Sequence, residues 1–197
     1  MVLAKFAWTK NGKGGAAGGT AARIEAGTRS AGGKLLSLYR GLDAEEGYAY
    51  IDANSSQGNG LRTALEAILD TISLVELDLI QEVAGASAGQ SAPVHYVVET
   101  DVLPEAEADC AAWYFEEHLP GLASVPGVVR AARYRNSGTL DAGPRSHAIY
   151  DMVARDTFES PPWLTVRGSA WTARVVPSWR NTKRTMFGRT MLGRHNA

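Results

Sequence analysis

The chain has 197 residues and a mass of 21.0 kDa, which is enough for one medium domain or two small ones. Its 45% hydrophobic content suits a packed core, its formal net charge is -1, and its apolar runs are far shorter than a membrane helix needs. Cys110 is the only cysteine, which excludes an intrachain disulfide and a thiolate metal cluster. The start, Met1 to Lys5, lacks the charged lead and apolar block of a secretory signal. These features predict a soluble cytoplasmic protein without membrane contact.

The first half of the chain predicts the order strand, helix, strand, strand, helix, strand. Thr20 is a candidate cap for the first helix, and Gly32 and Gly33 are expected to end it. A glycine-rich stretch at residues 11–19 is typical of a mobile loop. The expected strands are residues 3–9, 34–40, 47–53 and 75–83, and the expected helices are residues 20–31 and 60–74.

The second half repeats this order after a small, polar stretch at residues 84–92 that is typical of a linker. Pro104 opens its first helix at a position where proline is well tolerated. The expected strands are residues 94–102, 128–135, 147–154 and 170–176, and the expected helices are residues 104–119 and 158–169. Each half therefore predicts a βαββαβ unit of the ferredoxin-like type.

A βαββαβ unit has one sheet face covered by helices and the other bare, and a bare apolar face of that size associates. We therefore predict an α+β fold in which two tandem ferredoxin-like units pack sheet to sheet as an intrachain α+β barrel. The expected divisions are residues 1–85, residues 93–176 and a basic C-terminal tail at 177–197. Oligomeric state stays open, because the halves either complete one barrel alone or pair again across a homodimer.

The predicted tail belongs to a stretch in which charge is one-sided, since no acidic residue follows Glu159. One interpretation is an arm for nucleic acid, because clustered basic side chains neutralise phosphates. The alternative, which we favour, is a tail lying on an acidic surface of the same chain or of a partner subunit. No recognised nucleic-acid motif accompanies the charge, so we expect no nucleic-acid partner. The basic residues are Arg167, Arg174, Arg180, Lys183, Arg184, Arg189 and Arg194.

Short motifs in the two halves carry two family resemblances. The first half resembles the GYD-type domains at Trp8-Thr9-Lys10, Arg23-Ile24-Glu25-Ala26, Gly32-Gly33-Lys34-Leu35 and Tyr39. The second half resembles the EthD-like group at Trp113, Glu117-His118-Leu119-Pro120, Pro126-Gly127-Val128, Arg133-Tyr134, Trp163 and Trp171-Thr172-Ala173-Arg174. Both groups belong to the dimeric α+β barrel superfamily. One departure is that Gly47-Tyr48-Ala49-Tyr50 stands where the first group has Gly-x-Tyr-Asp, with Asp52 displaced.

The resemblance implies a range of activities rather than one, because fold membership says little about chemistry. It favours a cofactor-independent enzyme, namely a dehydratase, isomerase, cyclase or monooxygenase, acting on a small aromatic or carbonyl metabolite. The alternative is a non-catalytic ligand-binding or stress-associated barrel protein. No cofactor is expected. The superfamily also includes haem-binding enzymes, and a lone proximal histidine suffices for haem.

His118 is the leading candidate for catalysis, because it lies near the end of a predicted helix and leans toward that helix's apolar side. The superfamily resemblance implies a ligand cleft between helices and sheet, where His118 would serve as general acid or base. The alternative is a structural histidine bonded to the following loop. Trp113, Tyr114 and Phe115 would supply aromatic surface for the substrate, although successive helix residues cannot all face one pocket.

Three further candidates lie on the predicted strands of the second half. Arg133 and Tyr134 point to opposite faces, and one of them could bind a carboxylate or phenol; the alternative is an exposed arginine and a packed tyrosine. Asp151 stands on an apolar strand, where a carboxylate is costly unless paired. It therefore either orients His118 or Arg133 as a second catalytic residue or lies at the rim of the sheet.

Other patterns in the sequence are weak. His95, His118 and His147 lack any known metal-ligand spacing, so no metal is expected. Gly12, Gly14 and Ala17 fit a loose dinucleotide-binding pattern, but a flexible loop explains them better. Ser87 matches a nucleophile elbow in sequence only, because it leads to Pro93 and a strand rather than into a helix.

Overall fold

The structure is a computed structural model that describes residues 1–8 and 17–190 of the chain. Most of the predicted loop at residues 11–19, with Gly12 and Gly14, lies outside the described residues. No helix in residues 17–190 is both long and apolar enough to cross a membrane.

The described residues form eight strands interspersed with helices. The strands are β1 (Val2–Ala7), β2 (Lys34–Gly41), β3 (Glu46–Asp52), β4 (Ile72–Ala84), β5 (Val94–Val102), β6 (Val128–Asn136), β7 (Ser146–Met152) and β8 (Trp179–Arg189). The helices are α1 (Ala17–Ser30), α2 (Gly58–Glu66), α3 (Glu107–Trp113), α4 (Leu119–Ala123), α5 (Pro161–Arg167) and α6 (Ala170–Val175). A five-residue π-helix, Tyr114–His118, joins α3 to α4.

The strands form one antiparallel sheet in the hydrogen-bonded order β1-β3-β2-β8-β5-β7-β6-β4, which closes into a barrel. This architecture confirms the predicted α+β class with two tandem ferredoxin-like halves in a barrel. The strand predictions for the first half are also close, because alternating β-branched and aromatic residues are the pattern that a half-buried strand requires.

The chain divides into two compact units that do not follow the predicted boundaries. The first unit holds the described residues of 1–78, 137–143 and 187–190, and the second holds residues 79–136 and 144–186. Residues 137–143 join the first unit because Asp141 accepts hydrogen bonds there from the Arg62 guanidinium at 2.7 Å and the Leu74 amide at 2.8 Å. A connection in the second half of the chain is thereby fixed by side chains of the first.

The first unit buries α1 and α2 against β1, β2 and β3. Ile24 of α1, Leu61 and Leu65 of α2, and Leu38 of β2 have no exposed surface. Helix α2 ends at Glu66, earlier than the predicted residue 74, and Ile72 already lies in β4. Thr20 is a buried residue within α1 rather than its cap, because α1 begins three residues earlier.

The second unit packs its helices on β5, β6 and β7, and its core is rich in rings. Trp113, Tyr114, Tyr150 and Trp163 are each at most 1% exposed. Gly127 closes the turn before β6 at φ 97°, where a Cβ would meet Thr157 at 2.4 Å, so only glycine fits. The turn at residues 85–88 is tied to β6, with the Gly85 amide donating to the Val129 carbonyl at 2.9 Å.

Two predictions for the end of the chain are wrong. Residues 170–176 were expected to be the last strand but form α6, whose start is capped by the Ser169 hydroxyl accepting from the Thr172 amide. The last strand is β8, Trp179–Arg189, inside the segment expected to be a tail. Four basic residues make 179–190 look like a solvated arm, yet Thr185 and Phe187 alternate as buried residues, the period-2 signal that the charge concealed.

Candidate functional site

The π-helix at Tyr114–His118 shapes the candidate site of the second unit. The Leu119 amide bonds to the Tyr114 carbonyl five residues back, which places one more residue in the turn than an α-helix holds. His118 therefore falls beneath both Trp113 and Tyr114, and all three side chains are buried on one side. Phe115, in contrast, is 65% exposed. As expected, the three successive aromatic residues do not all face one pocket, because Trp113 and Tyr114 are buried and Phe115 is exposed.

A cavity of about 370 Å³ lies in the second unit, beside this turn. Seven of its lining residues carry aromatic or imidazole rings, His118 among them, and none of the described residues that line it has a carboxylate. Its lining includes the aromatic, polar and charged residues Tyr96, Trp113, Tyr114, His118, Tyr150, Trp163, Arg167, Ser169, Trp179 and Arg184. We call this space the aromatic cavity.

His118 is held by rings rather than by hydrogen bonds. Its imidazole stacks on Trp113 with 3.9 Å between ring centroids and meets Tyr114 edge-on at 5.7 Å. Its Nδ1 atom is buried and has no hydrogen-bond partner among the described residues. The alternative of a structural histidine bonded to the following loop therefore does not match its surroundings. A buried polar atom without a partner calls for an explanation such as a missing ligand or a catalytic role.

Electrostatics keep this imidazole neutral. Burial, and after it the positive charge of Arg167, lowers the pKa of His118 from 6.5 to about 3. Burial likewise raises the pKa of Tyr150 and of Tyr96. At neutral pH the floor of the cavity therefore presents an uncharged imidazole and protonated phenols.

Asp151 does not orient His118. Its carboxylate accepts a 2.7 Å hydrogen bond from His95 Nδ1 and lies 3.4 Å from the guanidinium of Arg130. Burial raises the pKa of Asp151, but His95 and Arg130 outweigh burial and the net pKa is lowered. Arg130 also donates to the hydroxyl of Tyr134 at 2.6 Å and pairs with Glu82. This network satisfies the buried carboxylate, and Asp151 is not among the residues that line the aromatic cavity.

Arg133 and Tyr134 line a second cavity of the second unit, of about 490 Å³, together with Thr100, Arg145 and Ser146. The guanidinium of Arg133 lies 4.5 Å from the ring centroid of Tyr114 and so backs the wall of the aromatic cavity. The predicted site residues are therefore divided. Trp113, Tyr114 and His118 come together, Arg133 lies behind them, and Tyr134 and Asp151 belong to the Arg130 network.

Sequence reasoning missed several cavity residues, chiefly Tyr96, Tyr150, Trp163, Trp179 and Arg184. A signal was present for the first two, because Tyr96 and Tyr150 are opposed across β5 and β7 and so share a sheet face. Trp179 and Arg184 lie on β8, and the expectation of a tail hid them. Among the described residues, no group of three histidine, cysteine or acidic side chains could hold a metal ion.

The chain is similar in structure to solved proteins of the same fold, although no family model and no curated protein matches its sequence. An anthrone oxidase-like protein superimposes with a TM-score of 0.63 and 14% identity, covering 96% of this chain and 90% of that one. A proposed monooxygenase from Lactobacillus acidophilus gives 0.61 and 13%, covering 95% and 92%. A mutant chlorite dismutase from Candidatus Nitrospira defluvii in complex with cyanide gives 0.62 and 9%, covering 97% and 91%. This chain has the fold of the dimeric α+β barrel proteins.

The residues of the aromatic cavity do not fit haem. A histidine that ligates a metal almost always donates its second ring N–H to a carboxylate, a carbonyl or water. Ligation through Nε2 of His118 would leave Nδ1 without such an acceptor among the described residues. We therefore derive no step through haem.

Proposed function

We propose that the protein is a cofactor-independent enzyme that binds a small aromatic or carbonyl compound in the aromatic cavity and moves a proton at His118. The observation that carries this proposal is the buried, unpartnered Nδ1 of an imidazole set in a ring-lined cavity. A planar substrate would lie against the more accessible rings of the cavity, such as Tyr96 and Trp179, and place its acidic C–H or O–H bond at the imidazole.

The low basicity of His118 restricts how that proton moves. An imidazole of pKa about 3 is some seven units below a phenol of pKa about 10, so transfer between the isolated groups is uphill by roughly 10 kcal/mol. Nearby positive charge must stabilise the anion that forms, and the anion in turn stabilises the imidazolium. His118 thus acts as a hydrogen-bond acceptor at rest and as a base only when negative charge develops beside it.

Among the four predicted reaction classes we favour monooxygenation. The fold likeness to an anthrone oxidase-like protein and a proposed monooxygenase supports this choice. In such a reaction, for example the oxidation of an anthrone to an anthraquinone, removal of a proton leaves an electron-rich carbanion. Dioxygen accepts the electrons of this carbanion. One oxygen atom becomes the new quinone carbonyl, and the other leaves as water. No bound cofactor is then needed for the electron balance.

Anthrone turnover tests the proposal. With wild type, we expect one dioxygen consumed for each anthraquinone and water formed, at a rate above the autoxidation measured in buffer. His118→Gln keeps much of the side-chain volume but removes the basic imidazole. The variant should lower the rate to that of autoxidation, with little change in the melting temperature. Equal rates for the two proteins would contradict a catalytic role for His118.

The second candidate is non-catalytic binding in the same cavity, which the low pKa of His118 favours. In that case aromatic ligands would raise the melting temperature of wild type, and no compound of the four reaction classes would be consumed. Each ligand can be tested for binding and for conversion in the same samples.

A further inference from the structure

Arg167 and Arg184 give the aromatic cavity a charged side that its other walls lack. Arg167 ends α5 and Arg184 lies on β8, and both side chains are exposed while the rings behind them are buried. Both line the cavity together with Tyr96, and their positive charges oppose the rise in the pKa of Tyr96 that burial causes. One side of the cavity therefore consists of buried rings, and another side carries two exposed guanidinium groups.

Neither arginine has a carboxylate partner among the described residues. Arg167 lies over the ring of Phe158 at 5.6 Å and Arg184 over that of Trp179 at 5.5 Å, so aromatic faces hold both guanidinium groups in place. Arg174, from the next helix, shows the contrast, because Asp109 binds it at 2.7 Å. Two oriented guanidinium groups without a carboxylate beside them are suited to receiving one from a ligand.

We propose that the natural ligand is an aromatic carboxylate, with its ring in the aromatic cavity and its carboxylate on Arg167 and Arg184. This inference rests on the proposed function for the location of the site and adds the charge of the substrate. The arrangement places the ring toward His118 and the carboxylate toward solvent.

A carboxylate bound at Arg167 also changes the basicity of His118. The positive charge of Arg167 opposes protonation of the imidazole, and a bound carboxylate neutralises that charge. The other titratable groups around the ring are Tyr114 on its own turn, Tyr150 on β7 and, across the cavity, Tyr96 and Arg184. Substrate binding thus strengthens the base that acts on the substrate.

A matched pair of probes tests the inference: naphthalene-2-carboxylate and naphthalene-2-carboxamide, which share a ring and differ in charge. Calorimetric titration of wild type should show the carboxylate binding about tenfold more tightly at low salt, with the difference shrinking as salt rises. Arg167→Gln and Arg184→Gln should each remove most of that difference without altering carboxamide binding. Arg29→Gln, which removes a surface charge paired with Glu25 on α1, is the control and should change neither affinity.

The outcomes separate the two proposals. If both probes bind wild type equally and the arginine variants change nothing, the anionic ligand is contradicted and the aromatic cavity stands. If neither probe binds, or if Trp113→Ala leaves both affinities unchanged, the cavity itself is contradicted as the binding site. The inference is supported if wild type prefers the carboxylate and this preference disappears in Arg167→Gln and Arg184→Gln but not in Arg29→Gln.

Discussion

In both units helices pack on the strands, but the side chains between the helices and the strands differ. In the first unit the side chains between helices and strands are mainly aliphatic, such as Ile24, Leu61 and Leu65, and they are fully buried. In the second unit the corresponding layer holds Trp113, Tyr150 and Trp163 around the aromatic cavity. The rings of the second unit line a cavity of about 370 Å³ in which a planar guest could meet aromatic faces. Function is therefore expected in the second unit.

The largest effect should come from the polar network behind the cavity rather than from the cavity. Asp151→Ala leaves Arg130 and His95 without their shared buried partner and should lower the free energy of unfolding by about 3–5 kcal/mol. Because the pKa of Asp151 is lowered in the folded state, its contribution is present above pH 4 and is lost as pH falls through the folded value. Urea unfolding at pH 7 measures the loss. A catalytic Asp151 would instead show lost turnover with stability intact.

A matched pair of truncations tests the difference between the two layers. Leu65→Ala in the first unit should cost about 2–5 kcal/mol of unfolding free energy and leave carboxamide affinity unchanged, since only packing is lost. Trp163→Ala in the second unit should cost about 3–5 kcal/mol and also weaken ligand binding. Chemical unfolding and titration of both variants provide the comparison. Ligand binding that depends on Leu65 rather than on Trp163 would reverse the assignment of roles.

The pH dependence of stability reports on His118. Its pKa is lowered to about 3 in the folded protein, so between that value and 6.5 the unfolded chain binds a proton that the folded chain does not. Stability should therefore fall as pH decreases from 6.5, with a slope approaching ~1.4 kcal/mol per pH unit. His118→Phe should flatten this slope between pH 6.5 and 4 in urea unfolding. An unchanged slope would mean that other groups cause the acid sensitivity.

The smallest effect is expected at Phe115, within the same aromatic run as Trp113 and Tyr114. Its side chain is 65% exposed, because the π-turn directs its neighbours inward and Phe115 outward. Phe115→Ser should change the unfolding free energy by no more than about 0.5 kcal/mol and leave ligand affinity unchanged. A large loss of either would show that the turn is built differently.

The sequence was sufficient for the fold because the apolar alternation of strands such as β5 and the helical spacing of Leu61 and Leu65 are local signals. It also predicted that His118, Trp113 and Tyr114 lie close together, because they share one turn. It could not place Trp179 and Arg184, which reach the cavity only through the pairing of β8 in the sheet. The partner of Asp151 was also out of reach, because His95 is 56 residues away and a cross-strand register decides the pair.

The measurement that tests the central claim most directly is an NMR titration of the His118 imidazole, assigned with His118→Gln, without ligand and with naphthalene-2-carboxylate. The account predicts a ring that stays neutral below pH 5 in the free protein and titrates at higher pH with the carboxylate bound. A ring that titrates near its ordinary pKa of about 6.5 and does not respond to the ligand would contradict it.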